Sequence, residues 1–153
     1  MQLRRTLIVA NRTAATPLLL QEVERRVQHG PTAFALLIPN VSSRTAADWT
    51  LQEALKSLRR AARGPNESMT PHVDGLLGGP DTFESVKEAL AGGGFDDVIV
   101  STLPKRRSEW LRRDLPRRIQ ELGFPVKVIT MAPEDDRSLF EKVVQNTPPG
   151  MAG

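Results

Sequence analysis

The chain contains no cysteine, which excludes disulfides, thiolate metal sites and a cysteine nucleophile. Its two histidines, His29 and His72, lie far apart and have no companion at metal-ligand spacing; both are expected at surface or turn positions, and no metal is expected. No segment approaches the ~20 apolar residues of a membrane span. The apolar run within Met1–Ala10 is too short for a secretory core, so the expected setting is the cytosol. Ser101 and Ser108 lack both the Gly-x-Ser-x-Gly elbow and an obvious His-Asp pair, which argues against hydrolase chemistry. Aromatic residues are 5% of the chain, too few to interleave a basic surface of the kind that grips nucleic acid. No internal repeat or low-complexity segment is present.

What the chain does have is length for one core and a concentrated charge. At 153 residues, folding as one domain buries roughly two-thirds of the unfolded surface. The net charge is +3, yet Lys105 to Arg118 alone carries seven Lys/Arg against Glu109 and Asp114. The remainder of the chain is therefore slightly acidic, and the positive charge sits at one place.

In chain order, Thr6–Ala10 reads as a buried strand broken by Asn11-Arg12-Thr13. Thr16 before Pro17 predicts a helix N-cap, with Leu20, Val23 and Val27 on the buried side and Gly30-Pro31 as the stop. Ala33–Ile38 is a second strand. Leu51, Leu55, Leu58 and Ala62 share one face of a helix predicted over 46–62. His72–Leu77 reads as an edge strand, because Asp74 and Gly75 interrupt its apolar pattern. Asp81 with Glu84 forms an acidic capping box for a third helix, whose stripe is Phe83, Val86 and Leu90. Val98-Ile99-Val100 reads as a central strand, followed by the basic segment, a short helix and a last strand over 125–130. Asp135 or Asp136 caps a terminal helix carrying Leu139, Phe140, Val143 and Val144, and a frayed tail follows. Strict alternation of strand and helix predicts an α/β fold: a single open five-stranded parallel sheet with helices on both faces.

These residues resemble the universal stress protein family of the adenine-nucleotide α-hydrolase-like superfamily over roughly Arg5 to Thr130. The resemblance rests on Gly78-Gly79-Pro80 with Phe83, Val86 and Ala89, on Asp96-Asp97-Val98-Ile99-Val100, and on Phe124-Pro125-Val126-Lys127-Val128-Ile129. It implies a sheet ordered 3-2-1-4-5, a crevice between the first and fourth strands, and dimers along the fifth. Residues 1–132 then form the family-like domain, 133–147 an extra C-terminal helix and 148–153 a flexible tail.

Members of that family that bind ATP carry glycine, two residues, glycine, nine residues, then glycine with serine or threonine. Here that spacing falls on Ser101, Pro104, Asp114 and Leu115. Proline removes a backbone donor and fixes φ, and an Asp114 carboxylate at the helix entrance would cap the helix and repel phosphate. The acidic residue that meets the nucleotide after the first strand is the neutral Asn11. The candidate crevice residues are Asn11, Thr13, Gly78, Pro80, Ser101, Thr102, Arg112 and Arg113. No residue is assigned a catalytic role. Trp110 and Leu111 are read as packing the basic segment against the body, and Trp49 as a structural residue of the second helix.

The resulting expectation is a non-enzymatic regulatory or stress-response domain without standard ATP binding, whose basic segment Lys105–Arg118 meets a protein or an anionic ligand. Two alternatives stand beside it. In one, arginines replace the glycine loop, guanidinium groups hold an adenine nucleotide, and hydrolysis is slow. In the other, the basic ridge contacts RNA or DNA. The expected assembly is a homodimer, with the fifth strand as its edge.

Overall fold

A computed structural model gives the structure of residues 3–10, 16–39, 44–63, 72–102 and 109–130; of 44–50, 109 and 112 it describes the backbone alone. The strands are β1 (Arg4–Ala10), β2 (Thr32–Ile38), β3 (His72–Leu77), β4 (Asp97–Thr102) and β5 (Val126–Thr130). They alternate with α1 (Pro17–Gln28), α2 (Arg44–Arg63), α3 (Thr82–Gly93), and the short pair α4 (Glu109–Arg112) and α5 (Leu115–Glu121). All four strand pairings are parallel, and the sheet order is β3-β2-β1-β4-β5. The alternating apolar runs thus yield the expected α/β sheet. The C-terminal helix expected over 133–147 and the tail lie outside the described residues.

Period-two alternation divides the core into two layers. Ile8, Phe34, Leu36 and Ile99 point to one face, where α1 and α2 cover them with Leu19, Val23, Leu51, Leu55 and Leu58. Leu7, Val9, Val98 and Val100 point to the other, beneath Val86 and Leu90 of α3 and Leu115 and Ile119 of α5. Because β1 and β4 are covered on both sides, they read as continuous hydrophobic runs. β3 and β5 lie at the edges: β3 exposes alternate residues, and β5 exposes the adjacent pair Lys127 and Val128.

Local chemistry sets the ends of the helices. The Thr16 hydroxyl accepts a hydrogen bond from Leu19 N at 3.4 Å, with Pro17 opening α1. Asp81 accepts from Glu84 N at 3.0 Å and starts α3. The returning half of that capping box is not formed, since the Glu84 carboxylate lies 3.7 Å from Lys87 instead. At the far end Gly94 takes φ 65°, a left-handed conformation suited to a residue without Cβ.

Helix α1 differs from its predicted stripe in an informative way. Leu19 and Val23 are buried, whereas Leu20 and Val27 only pack partly against the core. The inward row is Leu19, Glu22, Val23 and Arg26, spaced by three and four residues. Two of its four members are charged, so a stripe drawn from apolar residues alone comes out rotated.

Candidate functional site

Chain direction reverses across the sheet between β1 and β4: from β1 the connections run outward to β2 and β3, and α3 then carries the chain back to β4. In open parallel sheets a crevice forms at such a switch point, beyond the carboxyl ends of the strands. The strand ends that meet at this point are Ala10, Ser101 and Thr102. Ala10 is in register with Ser101, and Ser101 and Thr102 pair with Ile129 and Thr130. Both hydroxyl residues are buried.

The other candidate residues distribute unevenly around these strand ends. Gly78 and Pro80 share the same end of the sheet but follow β3, three strand spacings of ~4.8 Å, or about 14 Å, from β4. Gly78 N donates to Ile38 O at 2.8 Å. A Cβ on Gly78 would lie 2.8 Å from Ser85 Oγ and 3.1 Å from Pro39 Cα, so the turn requires glycine for close packing. The Ser85 hydroxyl in turn accepts from Gly79 N at 3.0 Å and donates to Asp81 O at 2.9 Å. Pro80 is exposed. Asn11, Thr13, Pro104, Lys105, Arg106, Arg107 and Ser108 lie outside the described residues, as do the side chains of Arg112 and Trp49.

Asp114 departs from its expected role. It precedes α5, as the sequence predicts, but at φ 55°, ψ 38° and without a side-chain capping hydrogen bond. Among the described residues it is the one non-glycine residue with positive φ. Its backbone makes the turn between α4 and α5: Asp114 N donates to Leu111 O at 3.2 Å, and Arg118 N donates to Asp114 O at 2.9 Å. The left-handed backbone carries the carboxylate away from the amides it would otherwise cap. A triphosphate approaching this turn would meet an exposed carboxylate on a strained residue.

The described part of the basic segment is mixed. Trp110 packs partly against the α3/α5 layer, as expected of an anchor. Arg117 lies 3.6 Å from Glu121, an exposed pair worth about 0–1 kcal/mol. Arg118 stacks 4.0 Å above the Phe83 ring centroid, tying α5 to α3 through a cation–π contact. Arg113 is exposed and has no ion pair among the described residues. No protein-family model matches the chain, and no curated protein matches it.

A second polar cluster, built from residues that belong to no motif, lies at the amino ends of the strands. The buried carboxylate of Asp97 accepts from Thr6 Oγ1 at 2.6 Å and from Arg4 Nη2 at 3.2 Å, and it pairs with Arg26. Arg26 Nε also donates to Glu22 at 2.7 Å. Glu22, buried as well, accepts a two-point contact from Arg25 at 3.0 and 2.7 Å and a bond from Lys127 Nζ at 2.9 Å. The Arg25 guanidinium, with Arg26 and Lys127, holds the Glu22 carboxyl well below the usual carboxylate range against the opposing cost of burial. The sequence signal that could have revealed this cluster is the i, i+3, i+4, i+7 row of α1, with Glu22 and Arg26 inside it. Among the described residues, no group of three His, Asp or Glu side chains is placed to hold a metal ion.

Proposed function

We propose that this chain is a universal-stress-like regulatory domain whose crevice has lost the standard ATP grip and whose basic segment, Lys105–Arg118, docks a protein or an anionic ligand. The observation that carries this reading is Asp114: the resemblance calls for glycine there, and the structure has an exposed acidic residue in the left-handed conformation glycine would adopt freely. The sheet order supports the architecture. The buried run at β4 and the Pro125-Val126 entry to β5 are in keeping with the same resemblance. No catalytic residue is assigned. Titrating magnesium ATP into the parent and into Asp114→Gly tests the role of the carboxylate. The variant is expected to bind phosphate more tightly, and equal affinity would remove repulsion from the account.

The alternative, an adenine-nucleotide module that uses arginines, draws support from Arg113, exposed beside the turn and without an ion pair among the described residues. It requires Arg113→Ala to weaken nucleotide binding in a salt-dependent way. For assembly, the reading is a homodimer along β5, whose Val128 is 38% exposed at the sheet edge. Light scattering at micromolar concentration should give the dimer mass, and a monomer mass would refute it.

A further inference from the structure

At the opposite end of the sheet from the crevice, about 20 Å away along β1 at ~3.3 Å per residue, a cavity of about 380 Å³ opens between the end of α1 and the starts of β1 and β2. Arg4, Arg25, Arg26 and His29 line it, and among the described residues no carboxylate does. Glu22 and Asp97 are buried beneath the arginines, whereas the Arg4 and Arg25 side chains are each more than half exposed. The linked network contains four cations, Arg4, Arg25, Arg26 and Lys127, against two carboxylates. It therefore holds a surplus of two positive charges.

The guanidinium groups are pinned at one edge and open at another. Arg25 uses Nε and Nη2 on Glu22, which leaves Nη1. Arg4 uses Nη2 on Asp97, which leaves Nε and Nη1. Arg26 uses Nε on Glu22 and Nη1 on Thr6 and Asp97, which leaves Nη2. Guanidinium forks held in place by buried carboxylates lose little rotamer freedom when they take an anion. Of the carbonyls that end α1, three are met by donors: Arg25 O by His29 Nδ1 at 2.7 Å, Arg26 O by His29 N at 3.1 Å and Val27 O by Gly30 N at 3.3 Å.

His29 adds a different function. Its Nδ1 lies 2.7 Å from Arg25 O, a carbonyl that can only accept, so Nδ1 carries the proton. In the neutral ring, Nε2 is then a hydrogen-bond acceptor, suited to a hydroxyl rather than to phosphate oxygen. The cavity volume falls in the range of small-molecule sites, roughly 300–1,000 Å³, and leaves room for more than a bare inorganic anion.

We propose that this cavity binds a hydroxylated phosphate monoester, of the sugar- or polyol-phosphate class. The dianion sits on the free edges of Arg4, Arg25 and Arg26, and a ligand hydroxyl donates to His29 Nε2. This site is separate from the crevice, so its fate does not depend on the ATP reading.

The test uses the full ¹⁵N-labelled chain in phosphate-free buffer at low salt, titrated with glycerol 3-phosphate. Saturable shifts are expected at the amides of His29, Gly30 and Thr32, with the amides of Ser101 and Thr102 unmoved. Arg25→Gln should weaken binding about fivefold or more, as expected for losing one arm of a forked anion site. His29→Ala should weaken it about fivefold through loss of the acceptor for the ligand hydroxyl. Inorganic phosphate should bind the parent more weakly than glycerol 3-phosphate does, and the two should bind His29→Ala equally; His29 is exposed, and unchanged amide positions away from the cavity check that the variant keeps the fold. Absence of saturable shifts at these amides overturns the proposal. So does an adventitious ion only, seen as phosphate, sulfate and glycerol 3-phosphate acting alike on the parent and on His29→Ala.

Discussion

The ammonium of Lys127 on the edge strand β5 lies 2.9 Å from the buried carboxylate of Glu22 on α1, a contact between residues 105 positions apart. It fastens the edge of the sheet to the first helix on the face that α1 and α2 cover. Arg26 extends the tie to Asp97 at the start of β4, and Thr6 joins β1 to the same carboxylate. Three strands and a helix are thus linked by two buried acids.

This arrangement makes stability depend on acid. The Glu22 carboxyl is depressed in the folded state, chiefly by Arg25 and then by Arg26 and Lys127. Its contribution is therefore fully present above the ordinary value near 4.5 and is lost as pH falls below that value towards the depressed one. Glu22→Gln should lose about 3 kcal/mol at pH 7, the lower end of the cost of breaking a buried ion pair, because two of its three partners are half exposed. Chemical denaturation from pH 7 to 3 should show the parent losing stability more steeply than the variant. Parallel curves would contradict the assignment.

Asp114 offers a backbone test. At φ 55° it has no capping bond to lose, so Asp114→Gly removes only strain. Relief of roughly 1–2 kcal/mol of left-handed strain is offset by about 0.4–1 kcal/mol of added unfolded-state freedom. The expected net gain is about 0.5–1 kcal/mol, while Asp114→Ala should destabilise. Denaturation midpoints of the two variants decide the point.

The Gly78 turn provides a matched pair. Gly78→Ala drives a methyl into Ser85 and the Pro39 backbone and should cost about 1–3 kcal/mol, as overpacking does. Gly79→Ala meets nothing within 4 Å and should leave stability unchanged or raise it by up to about 1 kcal/mol. Equal effects at the two positions would show that the turn is not closely packed at Gly78.

In the core, Leu58 is fully buried on the predicted face of α2. Leu58→Ala should cost about 2–5 kcal/mol in the same assay. A loss under about 1 kcal/mol would mean that α2 does not close that layer as described.

The apolar runs of β1 and β4 and the stripe Leu51-Leu55-Leu58-Ala62 are visible in the sequence because burial on a regular element leaves a period. The edge position of β3 is visible for the converse reason: Asp74 and Gly75 break that period where one side is open. Glu22, Arg26 and Asp97 are not visible, because a buried ion network looks like surface charge until its partners, up to 105 residues apart, are brought together. The Arg118–Phe83 stack between α3 and α5 is hidden for the same reason. At the crevice, spacing identifies Ser101 and Asp114, but the left-handed backbone at Asp114 follows from the tight α4–α5 turn rather than from residue type.

The central claim is the loss of the triphosphate grip beside Ser101, Thr102 and Asp114. Isothermal titration of the parent chain with magnesium ATP at physiological salt tests it most directly. The account predicts no saturable binding tighter than ~1 mM. A one-to-one isotherm with a micromolar Kd, about −8 kcal/mol, would contradict it.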